Sequence, residues 1–240
     1  MRGTRATIDL SALRHNLRCV RLAAPKSRVM AAIKANGYGH GLVPVAAALE
    51  NADAFAVATI EEAIELRQSG LEAPIALLEG FFHADELPVL ARLGLQAVLH
   101  RPDQVYALEE ADLERPVAVW VKVDTGMHRL GFPPGAVAAV SERLMACRNA
   151  RPLGFMTHLA NADDTGDALT MRQVEVFEDA VRELGGERAG IGHVSVDHLP
   201  GGGGDVHRQA AAIQARQQVG QPGHGLAAQG HGAVSRPPAD

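Results

Sequence analysis

The sequence predicts an α/β fold of the (β/α)8 TIM-barrel type, incomplete, with about six strands recognisable and a disordered C-terminal tail. Three observations predict it. Short apolar runs of strand length alternate with longer amphipathic stretches through most of the chain. Lysine, arginine and histidine candidates fall at the C-terminal ends of the apolar runs, where barrel enzymes place their chemistry. Residues 201–240 have a different composition from everything before them.

In chain order, Ala6–Leu10 reads as a short strand outside the barrel proper, and Ser11–Leu22 as the first helix. Strand Val29–Ile33 is followed by helix Val43–Glu50, strand Ala54–Ala58 by helix Ile60–Ser69, and strand Pro74–Leu78 by helix Ala84–Leu93. Strand Gln96–Leu99 then precedes helix Pro102–Glu110, strand Val117–Val123 helix Ala136–Cys147, and strand Pro152–Met156 helix Leu169–Leu184. The runs are too short for buried helices, and the stretches between them place apolar residues at helical spacing. Six or more such units, with basic residues at the strand ends, favour a barrel over a doubly wound sheet.

Residues 201–240 contain nine Gly, eight Ala and six Gln, with no Lys, Glu or aromatic residue. Only five Val, Ile or Leu are present there, too little apolar surface to offset the entropy of ordering the segment. Disorder is expected from about Gly201, with at most a helical turn or two around Val206–Gln218. The domain reading is 1–187 for the barrel and 188–240 for the tail.

The 240 residues suffice for one large domain, or for a large one with a partial second. A hydrophobic content of 47% is that of a soluble globular protein, and a net charge of −5 gives no hint of nucleic-acid binding. No apolar run reaches membrane-spanning length, and the opening residues lack the apolar core of a signal peptide. Cys19 and Cys147 lie far apart in helix-like segments and read as reduced residues of a cytoplasmic protein.

Three lysines occur in the chain, and Lys34 stands out among them. It ends the apolar run Val29–Ile33, and Ala-Asn-Gly-Tyr-Gly-His-Gly follows it. Such a segment must turn sharply, and is expected to leave backbone N–H groups facing a ligand. A lysine at a strand mouth, with a tyrosine four residues on, offers an amine nucleophile beside a phosphate-binding hydroxyl. That pairing suits a Schiff base with pyridoxal phosphate (PLP). On this segment alone, a surface lysine before an ordinary glycine loop is equally compatible.

The segment resembles the PLP-lysine motif of alanine racemases. Residues 119–132, Val-Trp-Val-Lys-Val-Asp-Thr-Gly-Met-His-Arg-Leu-Gly-Phe, resemble that family's Lys-Val-Asp-Thr-Gly-Met-x-Arg-Leu-Gly stretch. A weaker match is Gly154-Phe155-Met156-Thr157-His158-Leu159-Ala160. The three follow family order and spacing, and the resemblance runs from about Arg5 to about Gly186.

The resemblance implies PLP-dependent interconversion of L- and D-alanine for peptidoglycan precursors, in a cytoplasmic homodimer. It makes Lys34 the PLP attachment point and the acid or base on one face of the substrate α-carbon. Tyr38 would contact the cofactor phosphate, or else pack in a tight turn. Arg129 would bond the phenolic oxygen of the cofactor and lie near the substrate carboxylate, tasks that suit a guanidinium fork. Lys122 matches a lysine that is carbamylated (N6-carboxylysine) in many members and orients the arginine; the plainer reading is a barrel-interior lysine paired with an acid such as Asp124. His158 would lie under the cofactor ring, or serve structurally, and Leu78 would pack near the ring. No metal is implied.

The chain also departs from the family. The resemblance calls for a tyrosine from a C-terminal β-domain of the partner subunit, whereas the only tyrosines here are Tyr38 and Tyr106. The family's later phosphate and pyridine contacts have no counterpart after residue 187. A reading-frame shift accounts for that tail better than a natural linker, so this chain is expected to be poorly active or inactive. The alternative function is a non-catalytic PLP-binding barrel of the homeostasis type, which carries a different lysine motif. PLP decarboxylases of basic amino acids would bring a Cys-dependent C-terminal site that is absent here.

Overall fold

The computed structural model describes Gly3, residues 6–162, 164, 166–182 and 184, and a strand at 193–195. Expectations for the rest of the tail lie outside the described residues. Among the described residues seven strands form one parallel sheet in sequential order: β1 (Met30–Ala32), β2 (Ala54–Val57), β3 (Ile75–Leu77), β4 (Gln96–Leu99), β5 (Val117–Lys122), β6 (Ala150–His158) and β7 (His193–Ser195). Every neighbouring pair is parallel. Among the described residues β1 and β7 do not pair, so the fold is an open, incomplete barrel. One strand more is present than the six read from sequence; β7 falls in the segment assigned to the tail, where three residues carry little periodic signal.

The helices are α1 (Leu10–Ala23), α2 (Lys34–Tyr38, a single unusual turn), α3 (Leu42–Ala48), α4 (Ile60–Gln68), α5 (Leu87–Leu93), α6 (Pro102–Glu110), α7 (Val137–Ala146) and α8 (Leu169–Arg182). The expected boundaries hold to within a few residues, with two departures. Ala6–Leu10 is not a strand. Asp9 accepts hydrogen bonds from the backbone and hydroxyl of Ser11 at 2.8 and 2.6 Å, which caps α1 and draws Leu10 into its first turn. Strand β6 starts two residues before Pro152, and its register against β5 slips between Val119 and Trp120. Pro152 has no N–H to give the ladder, so Leu153 bulges.

Strand alternation divides the sheet into two unlike faces. Phe55, Val57, Ile75, Leu77, Ala97, Leu99 and Val119 point to the helices and are wholly buried. Burying each large side chain of this layer contributes roughly 1.5–3 kcal/mol. On the inner face Ala32, Ala56 and Ala76 lie side by side across β1, β2 and β3, and Trp120 of β5 sits against Gly154 of β6. The core thus lies between sheet and helices.

Candidate active site

Lys34 stands two residues beyond the end of β1 and is half-buried. Lys34, Ala58 and Leu78 each fall just past the last paired residues of β1, β2 and β3, at the strand C-termini. A single parity runs through Val98↔Trp120 and Lys122↔Met156 to His158. Lys122 and His158 therefore share the inner face, and Lys34 and Leu78 stand just beyond the ends of β1 and β3 at the same rim of the sheet.

The turn after Lys34 is left-handed. Ala35, Asn36 and Gly37 have φ/ψ of 52°/52°, 55°/47° and 62°/40°, and Tyr38 has φ 55°. Glycine tolerates this region; for alanine and tyrosine it is costly. The backbone N–H groups expected to face a ligand are largely engaged within the protein. Gly37 N–H donates to Ile33 O, Gly39 N–H to Ala35 O and Gly41 N–H to Asn36 O, each at 2.9 Å. Asn36 N–H donates to Glu62 Oε1 at 2.9 Å, and Leu42 N–H to Asn36 Oδ1 at 2.8 Å. A left-handed turn closes its own ladder, which leaves side chains, Tyr38 above all, to meet a ligand. Tyr38 is exposed.

Arg129 lies on the loop between β5 and α7, and it is exposed. The loop closes on itself: Phe132 N–H donates to Lys122 O at 2.8 Å, and Asp124 N–H to Phe132 O at 2.9 Å. Gly131 makes the return possible, since its φ is +135° and a Cβ there would stand 2.6 Å from Asp124 N. The loop that carries Arg129 thus returns to the backbone of Lys122 through Phe132.

Lys122 is buried in the barrel interior. The carboxylate of Asp124, its suggested partner, accepts from Gly126 and His128 N–H at 3.1 and 2.9 Å and contacts His128 Nδ1 at 3.1 Å. Burial works to raise the Asp124 pKa, but these hydrogen bonds outweigh it and hold the carboxyl below its ordinary value.

His158 is buried at the end of β6. His100, absent from the sequence reading, belongs to the same inner face one strand from Lys122. Burial holds its imidazole below the usual pKa, with Arg101 and Lys122 adding to the effect and a contact with Val98 O opposing it. A lone histidine after Leu99 carries no sequence signal that would have singled it out. Among the described residues no group of His, Cys, Asp and Glu could hold a metal ion. No helix among them is long and apolar enough to cross a membrane, and Cys19 and Cys147 are free.

A half-buried strand-end lysine before a tyrosine-bearing turn, with an arginine loop and a histidine on neighbouring strands, coincides with a known family. Residues 8–199 match the family described as alanine racemase, N-terminal domain. The chain belongs to that family. It is 50% identical over 190 residues to the alanine racemase of Vibrio parahaemolyticus, covering 79% of this chain and 53% of that protein. The alanine racemase of Vibrio vulnificus (strain CMCP6) is 49% identical over the same length. The crystal structure of the biosynthetic alanine racemase from Pseudomonas aeruginosa superposes with a TM-score of 0.76 at 39% identity, covering 88% of this chain and 57% of that one. The chain spans about half the length of the curated relatives it matches.

Proposed function

We propose that this chain carries the PLP-attachment half of an alanine racemase site, acting on alanine in the cytoplasm, with the homodimer of its family as the working assembly. The observation that supports the reading is the position of Lys34, Leu78, Lys122 and His158 at or just past the C-terminal ends of β1, β3, β5 and β6. The residue types suit PLP: Ala32, Ala56, Ala76 and Gly154 are small side by side, and Lys34 is half-buried rather than solvated. When bound, PLP supplies an electron sink that acidifies the α-proton of an amino acid.

Lys34 would hold the cofactor covalently and move a proton on one face of the substrate α-carbon. The Tyr38 hydroxyl would bind the phosphate. Arg129 would bond the phenolic oxygen and orient the substrate carboxylate, and its closed loop limits the freedom it loses on binding. Leu78 and His158 would flank the ring. Lys122 would orient Arg129, as its N6-carboxy form if carbamylated. Family membership favours this reading over a non-catalytic PLP-binding barrel.

Incubation with PLP, borohydride reduction and peptide mapping test the assignment. Label is expected on Lys34 alone, and the Lys34→Ala variant should take up none. Label on Lys26 or Lys122 in its place would reject it.

A further inference from the structure

Three side chains, one on every second helix from α4 onward, each fasten two consecutive strand-to-helix loops at the mouth of the barrel. Glu62 of α4 accepts Asn36 N–H on Oε1 at 2.9 Å, and on Oε2 Ala58 and Thr59 N–H at 3.0 and 3.4 Å. It joins the loop after β1 to the loop after β2. Gln104 of α6 accepts His100 N–H at 3.0 Å and donates to Glu79 O and Phe81 O, each at 3.1 Å. It joins the loops after β3 and β4. Gln173 of α8 accepts Ala160 N–H at 2.8 Å and donates to His158 O and Thr125 Oγ1 at 3.0 and 3.3 Å. It joins the loops after β5 and β6.

We infer that Glu62, Gln104 and Gln173 are positioning residues that lock the loops bearing the site in pairs: first with second, third with fourth, fifth with sixth. Gln104 and Gln173 are 1% and 0% exposed, and each spends both ends of its amide across two loops. A buried polar group satisfied in this way is rigid, and removing it strands its partners. The third loop also packs closely on this lock, since a Cβ on Gly80 would stand 2.5 Å from Gln104 Nε2.

Glu62 does more than cap its own helix. The capping box with Thr59 is complete without Asn36, yet the carboxylate reaches across to that amide in the turn holding Lys34 and Tyr38. Gln173 likewise fixes Thr125, at the root of the Arg129 loop, to His158. The locks are independent of any ligand; only their service to PLP rests on the function proposed above.

Hydrogen exchange on the full chain, without cofactor, tests the pairing. Glu62→Gln keeps the size but turns an amide N–H toward N–H donors, so exchange in residues 34–42 should rise roughly tenfold while 125–131 is unchanged. Gln173→Met should do the reverse, loosening 125–131 and 158–162 and sparing 34–42. Thr59→Ala weakens the α4 cap and leaves the carboxylate in place, so it should spare 34–42. Unchanged exchange, a uniform rise in all loops, or Thr59→Ala matching Glu62→Gln at 34–42 would overturn the inference.

If a variant does not fold, the unsubstituted chain decides. Its Asn36 and Ala160 amides should exchange at least about tenfold slower than in an unstructured peptide, and exchange at the unstructured rate would overturn the locks. With PLP as probe, Glu62→Gln should slow borohydride-trapped labelling of Lys34 by about tenfold through misplacement of the amine. Unslowed labelling would overturn the positioning role. Failure of the unsubstituted chain to take label counts against PLP alone, because the exchange pattern stands without it.

Discussion

Ala35, with φ 52° and ψ 52°, sits in a conformation that costs an L-residue about 1–2 kcal/mol. Asn36 tolerates it better, because its Oδ1 accepts Leu42 N–H from within the turn. The lysine, the tyrosine and the sharp turn were legible in the sequence, because Gly37, Gly39 and Gly41 punctuate it. The hand of the turn was not, since Ala-Asn before glycine does not announce a left-handed run; it is imposed from outside by Glu62 and by the return to α3. Ala35→Gly is therefore expected to leave stability unchanged or to raise it by up to about 1 kcal/mol. In a right-handed helix the same change costs about 1 kcal/mol. A urea midpoint lowered by that amount would show that the turn does not wind to the left.

At the scale of an element, the loop from Asp124 to Gly131 is held at both ends, by the strand ladder through Phe132 and by the Asp124 carboxylate within. The folded pKa of Asp124 is lowered, so the carboxylate contributes stability that is fully present above its unfolded value. That stability is lost as pH falls through the folded value, which lies under 3.8. Asp124→Asn should cost on the order of 1 kcal/mol at neutral pH. Its urea midpoint should begin to converge on that of the unsubstituted chain as the pH falls below the unfolded value of about 3.9, and meet it only below the lowered folded value, where both carry a neutral side chain. A gap that persists unchanged into acid would refute the account. The strands and helices around this loop were readable from local periodicity. The roles of Glu62, Gln104 and Gln173 were not: their partners lie up to 48 residues away, and nothing local distinguishes them from solvated helix positions.

For the molecule as a whole, racemisation needs proton transfer on both faces of the α-carbon, and under the proposed function Lys34 would serve one. Among the described residues no tyrosine is placed for the other face. Tyr38 shares the turn with Lys34, and Tyr106 lies on the outer side of α6, exposed, with the Arg143 guanidinium 4.3 Å from its ring centroid. A cation–π contact on the helical layer fixes Tyr106 outside the mouth of the barrel. The 240 residues on their own are therefore expected to accept PLP at Lys34 and yet racemise alanine about 10²–10⁴-fold more slowly than a full-length relative, the usual cost of one missing acid–base group. A coupled D-alanine assay on purified protein, beside PLP incorporation at Lys34, measures the two separately. Turnover within about tenfold of the full-length enzyme would mean that a residue of this chain serves the second face, and His100, neutral and on the inner wall beside Lys122, would be the first to substitute.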